Sequence, residues 1–293
     1  MTWVEPATAD DLAWLYELDL DPSSSWLAMG TRALGEQPWL LTDDARSEEL
    51  LIRARLIDER RREVLVVPDS AAEAAAELAG MIEAEGVVLP GAGGERSLDD
   101  HLGDGVAPVD LLARVGTSVQ EDLCLLRRGE IEWELEAGIL CFPSRWSLPD
   151  RVGKPLREVH GPTDGFDPVL ADRITSLLDR LGDRVVRRRN WFVHPDPALF
   201  QPGRPVGGDP FVPPDRVLDD LFVRSERQTL RALPASGRIV FAIKIQQCRL
   251  GRLMADQVLG ERFVDYLRNA PVDQVSHRGM TAEQVVAVLD AAS

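Results

Sequence analysis

LFVRSERQTLRALPASGRIVFAIKIQ, at residues 221–246, contains two strand-like segments around a turn. Leu221–Leu233 and Ile239–Gln246 are rich in apolar and β-branched residues, and Pro234–Gly237 between them has the composition of a turn. Two such segments on either side of a short turn predict a β-hairpin. We therefore expect an antiparallel sheet at the centre of the fold.

The first predicted strand carries polar residues at alternate positions. Side chains alternate between the two faces of a strand, so Arg224, Glu226 and Gln228 are expected on one face. An arginine there can stabilise negative charge on bound dioxygen, and a carboxylate can bind an ammonium group. A solvated face with cross-strand ion pairs is the simpler interpretation.

Other segments around the hairpin predict further strands and helices. Short apolar runs bounded by turn residues predict strands, and apolar residues at helical spacing predict helices. Together they predict an α+β fold, with helices first and then an antiparallel sheet interrupted by helices. The predicted strands are Val64–Val67, Asp122–Arg127, Glu132–Glu136, Gly138–Phe142 and Val185–Val193; the predicted helices are Asp44–Arg62, Pro108–Val115, Pro149–Val159, Pro168–Leu181, Leu259–Leu267 and Thr281–Ala291.

The pattern in the N-terminal part also predicts which side of a helix is buried and where a second helix begins. In the first helix, Leu50, Leu51, Ala54 and Ile57 recur at helical spacing and predict its buried face. A second helix is predicted to begin at Ser70 as the N-cap. Glu73 stands at the capping-box position, and Gly86 ends that helix.

His160 lies in the segment Cys141–Pro162, CFPSRWSLPDRVGKPLREVHGP, which also contains Trp146. It follows the predicted helix Pro149–Val159, and the adjacent Gly161 allows a flat cofactor to approach the backbone. Histidine is the commonest metal ligand, so this arrangement suits a haem site facing a polar strand. A helix-terminal histidine that interacts with the helix dipole is the simpler interpretation.

The other histidines and the cysteines are weaker candidates than His160 for a metal ligand. His194 follows a predicted strand and is either a second ligand or a hydrogen-bonding loop residue, whereas His101 and His277 are expected to be exposed. Cys141 could supply a thiolate to haem, but a buried and unreactive thiol is expected in its apolar strand. The three cysteines are widely spaced, which excludes a cysteine-only metal site and suggests a reducing compartment.

Composition narrows the class of protein. The 293 residues carry a net charge of −16, with a pI near 4.7. Such an acidic surface repels phosphate backbones and anionic membranes, which argues against nucleic acid as a partner. The basic segments Arg60–Arg62 and Arg187–Arg189 could dock an acidic partner, although solvated faces are the simpler interpretation. No signal peptide is apparent in MTWVEPATADDLAW and no long apolar run occurs, so we expect a cytoplasmic protein without a membrane span.

Familiar catalytic motifs are missing from the sequence. The glycine-rich segment Pro90–Gly94 lacks the Lys-Ser/Thr that follows a phosphate-binding loop. The sequence contains neither a G-x-S-x-G nucleophile elbow nor an H-E-x-x-H zinc motif. Nucleotide hydrolysis, serine hydrolysis and zinc proteolysis are therefore not indicated.

An ordered set of motifs resembles the haem-dependent oxidative N-demethylase α-subunit family. The resemblance spans roughly residues 25–250, and the order of CFPSRW, HGP and ERQTLRALP is specific to it. The motifs are VQEDLCLLR (Val119–Arg127), CFPSRWSL (Cys141–Leu148), GKPL…HGP (Gly153–Pro162), NW…H-x-DPALFQP (Asn190–Pro202) and RSERQTLRALP (Arg224–Pro234).

The resemblance implies a PAS-like antiparallel sheet with flanking helices. It predicts a mainly helical N-terminal region at residues 1–105 packed on the core, a PAS-like haem-binding core at 106–255, and a C-terminal helical extension at 256–293. By analogy with haem PAS domains, the proximal histidine lies on a helix before the later strands, and polar distal residues lie on those strands.

The resemblance also implies the chemistry. It predicts a b-type haem whose iron is bound by His160, with Arg224 and Glu226 as catalytic residues. Dioxygen and a small amine would be the substrates, and a separate reductase with flavin and an iron–sulfur cluster would supply electrons. The remaining cofactor-binding residues predicted in this way are Arg145, Trp146, His194 and Gln228.

Three functions are compatible with these residues. The first is a haem monooxygenase that oxidises a small amine by N-demethylation or N-oxygenation. The second is a non-catalytic haem sensor of oxygen or nitric oxide, although the sequence shows no kinase, cyclase or DNA-binding segment. The third is a binding subunit that has lost its cofactor. The Ala-, Arg- and Asp-rich composition suggests a bacterial source.

Overall fold

A computed structural model of the chain describes residues 10–24, 30–91, 98–103, 105–160 and 168–292. Its centre is a seven-stranded antiparallel sheet in the order β1-β5-β6-β7-β3-β4-β2, which confirms the predicted α+β class. The PAS-like assignment stays a prediction. The strands are β1 (Arg32–Ala33), β2 (Leu65–Val66), β3 (Asp122–Arg128), β4 (Trp133–Ile139), β5 (Val186–His194), β6 (Phe222–Leu233) and β7 (Arg238–Arg249).

Helices pack beside this sheet, and further helices follow its last strand in the sequence. Of the helices in the described ranges, none combines the length and the apolar character needed to cross a membrane. The α-helices are α1 (Arg46–Glu59), α2 (Arg61–Val64), α3 (Ala72–Ala84), α4 (Leu98–Gly103), α5 (Pro108–Gly116), α6 (Leu156–His160), α7 (Pro168–Asp179), α8 (Val217–Asp220), α9 (Leu250–Ala255), α10 (Gln257–Asn269), α11 (Val272–His277) and α12 (Ala282–Ala291); 3-10 helices span Asp10–Glu17, Asp69–Ala71 and Pro214–Arg216.

The predicted hairpin is the central pair of strands. β6 and β7 pair along their whole length, from Phe222 opposite Arg249 to Leu233 opposite Arg238. Gly237 closes the turn between them with a φ of 66°, a left-handed conformation that glycine adopts without steric cost. The two strand-like segments and the turn between them therefore predicted this part of the fold correctly.

The prediction of two strands in residues 132–142 is wrong, because β4 is a single strand. Gly138 was taken as a break, but it pairs with Cys124 inside the sheet. A Cβ atom at Gly138 would lie 3.0 Å from the Leu123 carbonyl oxygen and 3.3 Å from Leu148 Cδ1. Glycine is therefore required here by close packing and does not mark a turn.

Apolar clusters pack against the sheet, one on each face and one at the ends of β5, β6 and β7. One face packs against α1, α3 and α5. The other face carries Leu230 and Phe241 and packs against α6 and α7. A third cluster joins α8–α10, α12 and the 3-10 helix Asp10–Glu17 to the ends of β5, β6 and β7. We call the face under α6 and α7 the site face.

The first predicted helix forms, but its buried face differs in part from the one predicted. Of the predicted residues, Ile57 is buried and Leu50 half-buried, but Ala54 is exposed and Leu51 is 70% exposed. The other buried residues of this helix are Glu49, Arg53 and Leu56. The charged residues are buried because the sheet supplies their partners: Arg53 lies 2.8 Å from Asp122, and Glu49 lies 2.7 Å from Lys244. Apolar spacing alone could not reveal this face.

The helix predicted to begin at Ser70 also forms, but without the predicted capping box. A 3-10 turn precedes α3, and the N-cap residue Ala71 has no side-chain cap. The Ser70 hydroxyl instead donates to Glu136 Oε1 at 3.0 Å. A partner on β4 therefore replaces the local cap.

Only the last part of the predicted helix Pro149–Val159 is helical, as α6. The preceding residues pair with β4, because Gly153 N donates to the Leu135 carbonyl and Leu135 N donates to the Lys154 carbonyl. Gly153 has a φ of 81°, which lets the chain turn there. This pairing places α6 over the site face.

Candidate functional site

Four polar side chains lie together on the site face. In the register of β5 and β6, Asn190 stands opposite Glu226, and Arg188 stands opposite Gln228. Residues directly opposite each other, and those two positions apart along a strand, share one face of a sheet. We call Arg188, Asn190, Glu226 and Gln228 the polar strip. The predicted pair Glu226 and Gln228 thus lies beside two residues on β5 that were not predicted.

The polar strip adjoins apolar residues on two sides. On β7, Ile243 stands opposite Gln228 and Ile245 stands opposite Glu226, and both isoleucines are buried. One row further along the sheet, Leu230 and Phe241 pack against α6 and α7. A ligand above this part of the site face would therefore contact polar groups on β5 and β6 and apolar groups on β7.

Within the polar strip, Gln228 Nε2 donates to Glu226 Oε2 at 2.8 Å. Arg188 makes no comparable contact, because its buried Nε has no hydrogen-bond partner in the described part of the chain. Burial lowers the pKa of Arg188, and the negative charge of Glu226 only partly offsets that effect. The strip thus contains a cation and an anion that do not form an ion pair with each other.

Sequence reasoning missed Arg188 because Arg187–Arg189 was interpreted as a solvated basic segment. That interpretation is wrong. Arg187 and Arg189 both bind Glu17, and the Arg189 side chain is only 4% exposed. The alternation of β5 was the available signal, since it places Arg188 and Asn190 on the same face as His194.

Arg224, which was predicted to be catalytic, is fully buried at one end of the site face. Its guanidinium donates to the carbonyl oxygens of Phe142 at 2.9 Å, Leu199 at 3.0 Å and Ala198 at 3.1 Å, and to Ser144 Oγ at 3.1 Å. All three nitrogens are used in these contacts. Arg224 therefore joins two loops to the sheet, and a catalytic role for it stays a prediction.

Arg145 and Trp146 lie in one of the loops that Arg224 holds. Arg145 has a φ of 67°, a left-handed conformation that is costly for a residue with a Cβ. Its guanidinium forms a two-pronged ion pair with Asp209, which fastens the proline-rich loop after β5, and this contact lowers the pKa of Asp209. Trp146 packs against the apolar clusters of both sheet faces.

His194, at the end of β5, is a buried imidazole on the site face. It is 5% exposed, and neither ring nitrogen has a hydrogen-bond partner among the described residues. Burial, together with the positive charges of Arg224 and Arg145, lowers the pKa of His194 to about 3. The ring is therefore neutral at neutral pH, which is the form that binds metals.

His160 is the last residue of α6, and its side chain lies outside the described residues. The position of its helix is described: Leu156 and Val159 belong to the apolar cluster on the site face. Gly161 and Pro162, which follow in the HGP motif, also lie outside the described residues. The iron-binding role of His160 stays a prediction.

The remaining histidines and the cysteines differ in part from expectation. His101 was expected to be exposed but is buried, with Nε2 2.9 Å from Glu83 Oε2, and His277 is half-buried. Cys141 is buried as expected, and burial raises the pKa of its thiol to about 12. A thiolate at Cys141 is therefore not favoured near neutral pH.

Two further features bear on ligand binding. An open groove of about 560 Å³ runs along α7 and includes Arg173, Arg180 and Arg184, but none of the predicted site residues. In the described ranges, no group of three or more His, Cys, Asp or Glu residues is placed to hold a metal ion. A metal ion bound by these residues would need most of its ligands from a cofactor. Haem is such a cofactor, because the porphyrin supplies four nitrogens and the protein supplies an axial residue.

The fold and the site define an α+β protein whose central sheet carries a polar strip and a neutral buried histidine on one face. The family model described as haem-dependent oxidative N-demethylase, alpha subunit-like, matches residues 94–288, which is more than half of the chain. The chain belongs to this family. The resemblance drawn from the sequence is confirmed, and all five motifs that carried it lie inside the matched residues.

The family implies haem, and the residues present fit such a group. The unpartnered nitrogens of His194 and the unpartnered Nε of Arg188 are buried polar atoms on the site face. Polar atoms buried without partners are uncommon in folded proteins, so they favour a ligand at this face. A guanidinium suits a carboxylate such as a haem propionate, and the neutral His194 is an imidazole on the face where α6 ends in His160.

Proposed function

We propose that this chain is the haem-binding subunit of an oxidative enzyme that acts on a small amine. The haem is b-type, with His160 as its iron ligand, and a separate reductase with flavin and an iron–sulfur cluster supplies the electrons. When bound, the haem supplies the site where dioxygen is activated. N-demethylation then consumes one dioxygen, two electrons and two protons, and yields the demethylated amine, formaldehyde and water.

The observation that carries this proposal is that α6 packs at β4 on the site face, the same face of the sheet that carries the polar strip on β5 and β6. Helices α6 and α7 follow β4 and precede β5–β7, and they pack on the face that carries Glu226 and Gln228. A haem PAS domain has the same order, with the proximal histidine on a helix before the later strands. This arrangement supports both His160 as the ligand and a PAS-like core.

Glu226 is the residue that binds the amine. Glu226 is 8% exposed, and a carboxylate in such a dry environment attracts an ammonium group strongly. Gln228 holds one carboxylate oxygen of Glu226 and leaves the other available. Glu226 therefore orients the amine, and Gln228 orients Glu226.

Arg224, Arg145 and Trp146 support the site in this proposal. Arg224 fixes the backbone of the loops that begin at Phe142 and Ala198. Arg145 fastens the proline-rich loop through Asp209. These contacts exclude water and keep the end of the site face rigid, and the neutral His194 would lie beside a haem bound there.

The proposal is tested by turnover with a surrogate reductase. Haem-loaded protein is expected to show a Soret band and amine-dependent consumption of dioxygen with release of formaldehyde. Glu226→Gln should weaken amine binding strongly while the Soret band remains. Binding of oxygen without amine-dependent consumption would instead favour the sensor, and a missing Soret band after haem supplementation would overturn the proposal.

A further inference from the structure

Arg188 is a half-buried cation that the proposed function leaves unused. Its Nε is buried without a partner, and no other hydrogen bond or ion pair from its guanidinium occurs among the described residues. Leaving the buried Nε–H donor unpaired is costly, because it has lost its contact with water. A carboxylate ligand would remove that cost.

Unlike Arg188, its two neighbours in the chain, Arg187 and Arg189, have protein partners in the described part of the chain. Arg187 Nη1 lies 2.9 Å from Glu17 Oε2. Arg189 donates to Glu17, to Ser225 Oγ at 3.0 Å and to Gln246 Oε1 at 2.9 Å. Both of these arginines are satisfied by the protein on the opposite face. Arg188 alone of the three points to the site face.

Gln228 separates Arg188 from the carboxylate on the same face. It stands directly opposite Arg188 and donates to Glu226, so Glu226 lies diagonally across the strand pair from Arg188. Diagonal residues in an antiparallel pair are about 7–8 Å apart. Arg188 and Glu226 interact electrostatically but do not form an ion pair. The polar strip therefore presents one positive and one negative group at diagonal positions of the same face.

We propose that the polar strip binds a zwitterionic amine, with Arg188 on its carboxylate and Glu226 on its amino group. This inference rests on the proposed function and assigns the substrate class as an N-alkyl amino acid. A simple dialkylamine would satisfy Glu226 and leave Arg188 unpaired. In the reaction, one oxygen atom enters the N-methyl C–H bond and the other leaves as water. The C–N bond then breaks to release formaldehyde, the nitrogen gains a proton, and the reductase supplies two electrons.

A haem propionate is the other carboxylate that Arg188 could bind, and the experiment separates the two. Haem-loaded protein is titrated with N-methylglycine and with dimethylamine, which lacks a carboxylate, and binding is followed by calorimetry and by the Soret band. The variants are Arg188→Gln and Arg188→Lys. Arg187→Gln is the matched control, because Arg187 is bound to Glu17 away from the site face.

The wild-type protein is expected to bind N-methylglycine at least about tenfold more tightly than dimethylamine, since a site with a buried charged partner rejects the analogue that lacks it. Arg188→Gln should abolish this preference with haem content unchanged, and Arg188→Lys should restore part of it. Arg187→Gln should keep it. Loss of haem from Arg188→Gln would assign the arginine to a propionate and overturn the inference.

Equal binding of both ligands to the wild-type protein would also overturn the inference. In that case, an intact Soret band and dimethylamine-dependent consumption of dioxygen would leave the proposed function standing. An absent Soret band would mean that the proposed function itself has failed.

Discussion

Lys244 Nζ on β7 lies 2.7 Å from Glu49 Oε2 on α1, across 195 positions of sequence. The Lys244 side chain is fully buried and also lies 3.1 Å from Asp43 Oδ2. Burial opposes its charge, but the carboxylates of Glu49 and Asp43 outweigh that effect and raise the pKa of Lys244. This contact fastens the N-terminal region to the sheet face opposite the site.

Removal of Lys244 should therefore destabilise the fold. Lys244→Ala leaves Glu49 and Asp43 without their cation, and breaking a buried ion pair in this way costs about 3–5 kcal/mol. Urea denaturation measures the free energy of unfolding. Lys154→Ala is the matched control, because Lys154 is exposed, and it should change stability by less than about 0.5 kcal/mol. Equal effects of both substitutions would contradict this account of the pair.

Arg224 should behave as a structural residue in stability measurements. Arg224→Ala leaves the carbonyl oxygens of Phe142 and Leu199 without a donor and should cost about 3 kcal/mol or more. Arg224→Lys should restore little, because an ammonium group cannot reach both loops in the geometry of the guanidinium fork. Arg216→Ala, which removes an exposed arginine paired within its own helical turn, is the control. Full stability of Arg224→Ala would show that the loops are held by other contacts.

His194 should make stability depend on pH. Its pKa is lowered to about 3 in the folded protein, against about 6.5 in the unfolded chain, so the unfolded chain binds more protons between these values. Stability should therefore fall as the pH drops from 6.5 toward 3. The difference in unfolding free energy between wild type and His194→Gln should change by roughly 2–3 kcal/mol between pH 7 and pH 4. A difference independent of pH would mean that His194 is not a buried neutral ring.

Gly279 should be required where the C-terminal helices meet β5. It has a φ of 89°, and a Cβ atom there would lie 2.4 Å from the Val193 carbonyl oxygen. Gly279→Ala should therefore cost more than about 2 kcal/mol, measured by thermal or urea denaturation. Gly182→Ala has a φ of 54° but open space around the added Cβ, so it should cost only about 1 kcal/mol. Similar losses for both variants would contradict the close approach.

The sequence predicted those parts of the fold that depend on local periodicity. Strand-like composition around a turn predicted the β6–β7 hairpin, and alternation predicted the common face of Glu226 and Gln228. Local periodicity could not predict all of the buried face of α1, because Glu49 and Arg53 are buried by partners on strands far along the chain. Arg188 was not predicted for a related reason. Three consecutive arginines have the composition of a solvated surface, and only their positions in β5 show that Arg188 lies on a different face from Arg187 and Arg189.

The role of His160 is the central claim of the proposed function, and haem ligation in a variant tests it most directly. Haem content and the absorption spectrum are measured for wild type, His160→Ala and the control His277→Ala, which changes a half-buried histidine in the C-terminal helices. We predict that His160→Ala loses haem or changes its ligation, while the control keeps the wild-type Soret band. An unchanged haem content and spectrum in His160→Ala would contradict the account.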